Sequence, residues 1–453
     1  MQTLSWAQEY IRLEAEDLKV ELAQAREEGR ELPEAVVAEF ERLIAQGDVS
    51  GRADQKRIGE LLDTVISLPF RADYEYSEPS DVEGILAECE GYKTAVAYDY
   101  AQVEDLARGA WLGRMAGCLL GKPVEGWMSD RLEGMLRATD NWPLRRYLPF
   151  ESVDADVREK YKMERRFWWI DTVDGMPEDD DVNYSFIGKL VLEHGGSDFT
   201  PVHVAFAWQN ELPAWHTFTA ERVAQRNFLL DMEPPTSALY RNPYREWIGA
   251  QIRADFFGWA SPGNPEQAAR WAWRDACVSH YKNGIYGEMW VAAMLAIAAI
   301  EKDVRSVIIG GLAYVPTRSR LHAALSRVVK MYDSGMTHEA FMSDFRERWD
   351  DTFKHHWCHV IANAEIVASS LLWGAGDFGQ TICMAVQPGF DTDCNGATCG
   401  SVLGVLLGAS KLPEEWVKPL GDKVTLGLVS FHQQSIAKLV SDSAALIRKV
   451  NNK

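Results

Sequence analysis

The stretch GFDTDCNGATCGSVLGVLLG, residues 389–408, decides how the rest of the chain is read. Asp391 and Asp393 stand two apart, and behind them Gly396, Gly400, Gly404 and Gly408 recur at every fourth position. Residues four apart share one face of an α-helix. Glycine weakens a helix by about 1 kcal/mol relative to alanine. A row of glycines therefore needs a packing reason, and close approach of a second backbone is the simplest. The stretch predicts an acidic loop opening into a deeply packed helix.

A second ladder, Gly109, Gly113, Gly117 and Gly121, lies in RGAWLGRMAGCLLGKPVEGW (108–127). Pro123 ends that helix and leaves Glu125 just beyond it. If the two ladders pack antiparallel, Glu125 arrives at the same end as Asp391 and Asp393. A third acidic run, PEDDDVNYS (177–185), places Asp179, Asp180 and Asp181 before a helical pattern of Tyr184, Ile187, Leu190 and Val191. Carboxylates in front of a helix complement its dipole, but three in a row exceed that need. Three acidic loops brought together make an oxygen-rich site for hard cations such as Mg²⁺ or Mn²⁺.

In these residues the chain resembles the ADP-ribosylglycohydrolase family, which includes the dinitrogenase reductase-activating glycohydrolases. The family's Gly-rich first helix ending in G-x-x-x-E is matched by Gly121-Lys122-Pro123-Val124-Glu125. Its T-D-D-T loop is matched by Asp179-Asp180-Asp181-Val182, and its late G-x-D-T-D-T-x-G-A-x-x-G motif by Gly389 through Gly400. The resemblance covers roughly residues 105 to 440. It implies an all-α fold, two Mg²⁺ or Mn²⁺ ions in a cleft, and hydrolysis at the anomeric carbon of a ribose. By the same resemblance Asp180, Asp181, Asp391 and Asp393 are metal ligands, Asp179 replaces the family's first Thr, and Cys394 replaces its last. Glu125 becomes a mobile ligand or acid–base group, so that Glu125, Asp180 and Asp391 form the catalytic set. The family's ribose- and phosphate-side run maps onto Gly249, Gln251 and Arg253, although Trp247-Ile248 stands where the family has Gly-Asn. His280, in a Ser-His context, maps onto a substrate-contacting histidine.

Composition bounds the rest. The chain has 453 residues, 47% hydrophobic and 25% charged, as in an ordinary globular protein. A net charge of −20 argues against a nucleic-acid partner bound through a broad basic surface. Seven cysteines without a regular framework read as buried thiols in a cytoplasmic compartment. The opening MQTLSWAQEYIRLEAED lacks the basic start and apolar core of a signal peptide. The longest apolar run, Cys394 to Ala409, is 16 residues, short of the roughly 20 that span a bilayer, so no membrane segment is expected.

Residues 1–95 read as a charged helical extension, a cap or oligomerisation element, with stripes at Val36, Val37, Phe40, Leu43, Ile44 and at Ile58, Leu61, Leu62, Val65. Ser77-Glu-Pro-Ser80 reads as a linker to a catalytic domain spanning 96–453. Residues 129–170 read as an irregular, Trp-rich connector. His355, His356, Cys358 and His359 cluster, but no second ligand pair at zinc spacing accompanies them; they read as helix-end histidines. Cys394, a soft ligand beside hard aspartates, is expected to pack inward, with Asn395 capping the helix start. The substrate expected is a ribosylated small molecule or an ADP-ribosylated protein. The two rival readings are a hydrolase of small N-ribosides or nucleosides and, since the family includes a crystallin, a non-enzymatic binding or structural protein.

Overall fold

The computed structural model describes residues 12–94 and 96–453; residues 1–11, which carry most of the expected leader-free opening, lie outside it. The chain is built from helices, and among the described residues the one sheet is a two-stranded antiparallel pair, Val424–Thr425 with Gln433–Gln434. Among the described residues no helix is long and apolar enough to cross a membrane.

The two ladders form the axis of the fold. Helices Val103–Gly121 and Thr392–Leu407 run antiparallel with backbones in contact. Gly109 faces Gly404, Gly113 faces Gly400, Gly117 faces Gly396, and Gly121 faces the Thr392 carbonyl. A methyl group at any of these glycines would overlap a carbonyl oxygen of the opposite helix. Gly408 departs from the ladder: it caps the helix at φ +78°, a conformation that favours glycine, and sits against Asp105. Helix Asn283–Ala298 lies beside this pair and is buried along its whole length. That is why it shows no apolar stripe: with every face covered, every face is apolar.

The segment 129–170 is more regular than its sequence suggests. It contains helices Ser129–Ala138 and Ala155–Lys160, the first burying Leu132, Met135 and Leu136 at helical spacing.

Helices Ala15–Glu27, Glu34–Gln46 and Arg52–Ser67 enclose a small core of their own around Leu18, Phe40, Leu43, Ile58 and Val65. They meet the rest of the chain through charge. Arg245 binds Glu21 and Glu28 at 2.7 and 2.9 Å, Arg241 binds Asp63, Lys354 binds Asp17, and Gln24 binds Glu246. The expected linker is no free tether: Glu78 is buried between Arg320 and Lys282, and Tyr286 donates to the Pro79 carbonyl.

Candidate metal centre

Antiparallel packing delivers the acidic loops to one place. The first ladder helix ends at Gly121, a single 3₁₀ turn of Lys122–Val124 follows, and Glu125 emerges. The second begins with Asp391 at its N-cap and Asp393 in its first turn. Helix Asp180–Gly195 begins alongside, with the Asp179 side chain accepting from the Asp181 N–H at 2.9 Å as its N-cap. Asp179, Asp180, Asp181 and Asp393 each offer an oxygen, all within 4.8 Å of one another. Asp391 stands next to Asp393, its backbone N–H held by Asn363, with the Cys358 thiol 3.9 Å from its Oδ2. Glu125 stands at the open edge.

Two cations inside the protein brace this group, and neither was singled out from the sequence. Lys122 Nζ lies 2.7 Å from Asp179 and 3.8 Å from Glu125. Arg114, wholly buried on the first ladder helix, bonds Asp181 through its carbonyl and carboxylate and pairs with Asp255 at 2.7 Å. An arginine between Gly113 and Gly117, in an apolar helix, was the signal available: such a charge needs a buried partner.

The charge balance is incomplete. Burial, together with Asp179 and Asp393, pushes the Asp180 carboxyl well above the usual range. Burial raises Asp181 despite Arg114. Burial raises Asp391, with Asp393 and Glu125 adding to it, and burial and Asp179 raise Asp393. Glu125 is raised first by Asp393 and then by burial. Asp181 Oδ2 and Asp393 Oδ1 are buried and make no hydrogen bond among the described residues. Hard oxygen donors left bare and mutually repelling are the donor set that a divalent cation of the Mg²⁺ or Mn²⁺ type satisfies.

Cys394 packs inward, as expected, and is buried in the core. Its sulfur lies within 4.8 Å of oxygens of Asp181 and Asp393, because the first helical turn aims it into the same space. Asn395 does not cap the helix; it sits buried inside it and donates to Asn363 at 2.8 Å.

The other predicted contacts gather in a separate knot around Glu221. Gly249 abuts the Glu221 carboxylate, and His280 Nδ1 lies 4.0 Å from it. Burial, then Arg253, lowers the His280 pKa well below the usual range. Arg253, expected on the substrate side of the cleft, lies inside the protein. It is 1% exposed and enclosed by Glu221, Asp275 and Glu288, with its plane over Trp208. Gln251 is fully buried against Gly287, its amide without a partner among the described residues.

The histidine cluster resolves into a latch. Trp247 donates to His355 Nδ1, and the Ile361 N–H donates to His359 Nδ1. Each ring therefore carries its proton on Nε2; His355 Nε2 bonds Glu27 at 3.2 Å, while His359 Nε2 lies 3.5 Å from the same carboxylate without a hydrogen bond. A ring protonated there is a donor toward a carboxylate, although ligand atoms of Glu27, His355 and His359 all lie within 4.8 Å of one another.

A family model described as ADP-ribosylglycohydrolase matches residues 99–452. A solved structure described as "ADP-ribosylglycohydrolase-related protein complex" aligns at 19% identity over 77% of this chain and 99% of that chain, with a TM-score of 0.48. A search of curated proteins returns no significant match.

Proposed function

Because the chain belongs to the ADP-ribosylglycohydrolase family, a family of glycohydrolases, we propose that its acidic cleft is a dinuclear Mg²⁺ or Mn²⁺ centre hydrolysing the glycosidic bond at the ribose anomeric carbon of an ADP-ribosylated substrate. The observation that carries this reading is the convergence of Asp179, Asp180, Asp181 and Asp393 with bare, buried oxygens at the abutting helix ends. Asp180, Asp181, Asp391 and Asp393 would hold the ions, which when bound supply Lewis acidity and offset charge. Arg114 fixes Asp181 and Lys122 fixes Asp179, so the carboxylates stay oriented without rearranging during the reaction. Glu125, braced by Lys122 at the open edge, is placed to hand a proton to the leaving group or to take one from the attacking water. The intact acidic set disfavours a purely structural role.

The test uses the full-length protein. In EDTA, Asp393→Asn should raise the melting temperature by relieving repulsion; with Mn²⁺ in excess the order should invert, because wild type gains binding free energy that the variant lacks. Activity is then compared on ADP-ribosyl-arginine and ADP-ribosyl-serine peptides and on free nucleosides; turnover of nucleosides alone would replace the ADP-ribosyl substrate by small N-ribosides. Equal Mn²⁺ stabilisation of wild type and variant would overturn the metal assignment.

A further inference from the structure

Helix Ala15–Glu27 grips both sides of a short bridge that leads to Asp391. At this bridge Trp247 pairs antiparallel with His359. The Ile248 N–H donates to the Cys358 carbonyl at 2.9 Å, and the Val360 N–H to the Glu246 carbonyl at 3.1 Å. On one side of the bridge, Glu21 binds Arg245, and Gln24 donates to the Glu246 carboxylate at 2.7 Å. On the other side, Glu27 Oε2 lies 3.2 Å from His355 Nε2 and 3.5 Å from His359 Nε2. Both rings are fully buried. Their Nδ1 atoms already accept N–H bonds, so a single carboxylate oxygen faces both buried ring N–H groups.

The bridge leads directly to the acidic centre. Cys358, between the two histidines in sequence, points its thiol at Asp391 Oδ2, 3.9 Å away. Asn363 lies one helical turn past His359 and is fully buried. Its Nδ2 donates to the Trp357 and His359 carbonyls at 3.0 Å each. Its Oδ1 accepts from the Asp391 N–H at 3.3 Å and from Asn395 Nδ2 at 2.8 Å. The carbonyls of the turn therefore orient Asn363, and Asn363 holds the backbone of Asp391. A buried amide that loses a partner must re-seat or leave a polar atom bare. A shift at residues 355–359 thus reaches Asp391 by two contacts, the thiol and the amide.

We infer that Glu27 is a positioning residue: from the N-terminal helical unit it fixes the turn of residues 355–359, and through Cys358 and Asn363 that turn fixes Asp391 for the cation. The inference rests on the metal reading of the acidic centre. It adds to that centre a group from outside residues 99–452, the part of the chain that the family model matches. Partners standing behind metal ligands are worth roughly 10–100-fold in affinity. Glu27 acts at one remove from such partners, so the low end of that range applies.

The experiment measures calorimetric Mn²⁺ affinity of the full-length protein and its variants. Because one oxygen serves both rings, Glu27→Gln keeps an acceptor at the same reach and should bind Mn²⁺ within about twofold of wild type. Glu27→Asp, which withdraws that oxygen by one methylene, and Glu27→Ala should each weaken Mn²⁺ about tenfold. Asp63→Ala is the control. It removes the unit's ion pair with Arg241 and should lower Tm while leaving Mn²⁺ affinity unchanged. Equal affinity in wild type, Glu27→Asp and Glu27→Ala overturns the positioning role and leaves the metal centre standing. So does a loss in Asp63→Ala as large as in Glu27→Ala, which would mark a loosening of the whole unit. Glu27→Gln as weak as Glu27→Ala would make charge, not the shared oxygen, the operative property and overturn the route through the turn. If Glu27→Ala does not fold, the Asp and Gln variants decide by themselves. A wild-type protein that binds no Mn²⁺ overturns the metal reading, and the inference with it.

Discussion

Gly400→Ala tests the interlock on which the site depends. In an exposed helix this change stabilises by about 1 kcal/mol. Here the new Cβ would overlap the Gly113 carbonyl oxygen and lie 2.9 Å from its carbon, where ordinary contact is about 3.5 Å or more. The Gly113 backbone sits inside a helix and cannot swing aside, so the two helices must part by roughly 1 Å, which forfeits up to about half the dispersion energy of each contact along the seam. Overpacking of this kind costs about 1–3 kcal/mol and occasionally more. With the propensity gain subtracted and neighbouring rungs at Gly396 and Gly404 opened together, the net destabilisation is about 2 kcal/mol. Unfolding entropy of roughly 2.1 cal/mol/K per residue over 453 residues converts that to a fall in Tm of about 2 °C, which scanning calorimetry resolves. Mn²⁺ affinity should fall as well, since the parted helices carry Lys122 and Asp393 at the same end, one on each helix. Gly113→Ala combined with Gly400→Ala should cost less than the sum of the two, because the second methyl enters a seam already opened. A Gly400→Ala protein that melts higher than wild type would refute the backbone-contact account of the ladders.

Removing the Arg114 side chain with Arg114→Met strands Asp181 and Asp255 as buried, unpaired carboxylates and should cost about 3–5 kcal/mol in chemical denaturation; a loss below about 1 kcal/mol would show that the pair is not needed. Burial pushes Glu27 and Glu78 up, but His355 and His359 for the first, and Arg320 and Lys282 for the second, outweigh it and hold both at about 2 against an ordinary 4.5. Depressed folded pKa values stabilise above the unfolded value and cease to as pH falls through the folded one, so the hold on residues 12–94 should loosen between pH 4.5 and 2. Pepsin cleavage there, before the ladder helices, is the readout; first cuts in the ladders would contradict it. Cys394→Ser should leave Mg²⁺-supported activity within a few-fold, yet weaken inhibition by Zn²⁺ or Cd²⁺ about tenfold, because only the soft ion gains from the sulfur near Asp181 and Asp393. Loss of Mg²⁺ activity in that variant would make the thiol a ligand in its own right.

The helical class, the antiparallel ladders and the convergence of the acidic loops were legible in the sequence for a physical reason. Backbone-to-backbone contact requires the absence of Cβ at every rung, and that absence repeats with the helical period, as Gly109 to Gly121 and Gly396 to Gly404 do. A proline then fixes where the helix stops and which side chain follows. Carboxylates beyond what a helix dipole needs are equally visible. What the ladders could not carry is the identity of partners distant in the chain. Arg114 finds Asp181 67 residues away, and Arg245 finds Glu21 224 residues away; neither pairing leaves a local pattern, because any buried cation accepts any carboxylate the fold supplies. The same holds for Arg253, whose register suggests an open cleft but whose enclosure by Glu221, Asp275 and Glu288 depends on three separate elements. The basic aromatic pocket beyond Glu125 also belongs to the tertiary structure alone. Charge has no period, and only the packing of residues 122–131 against 162–169 brings cations onto indole faces.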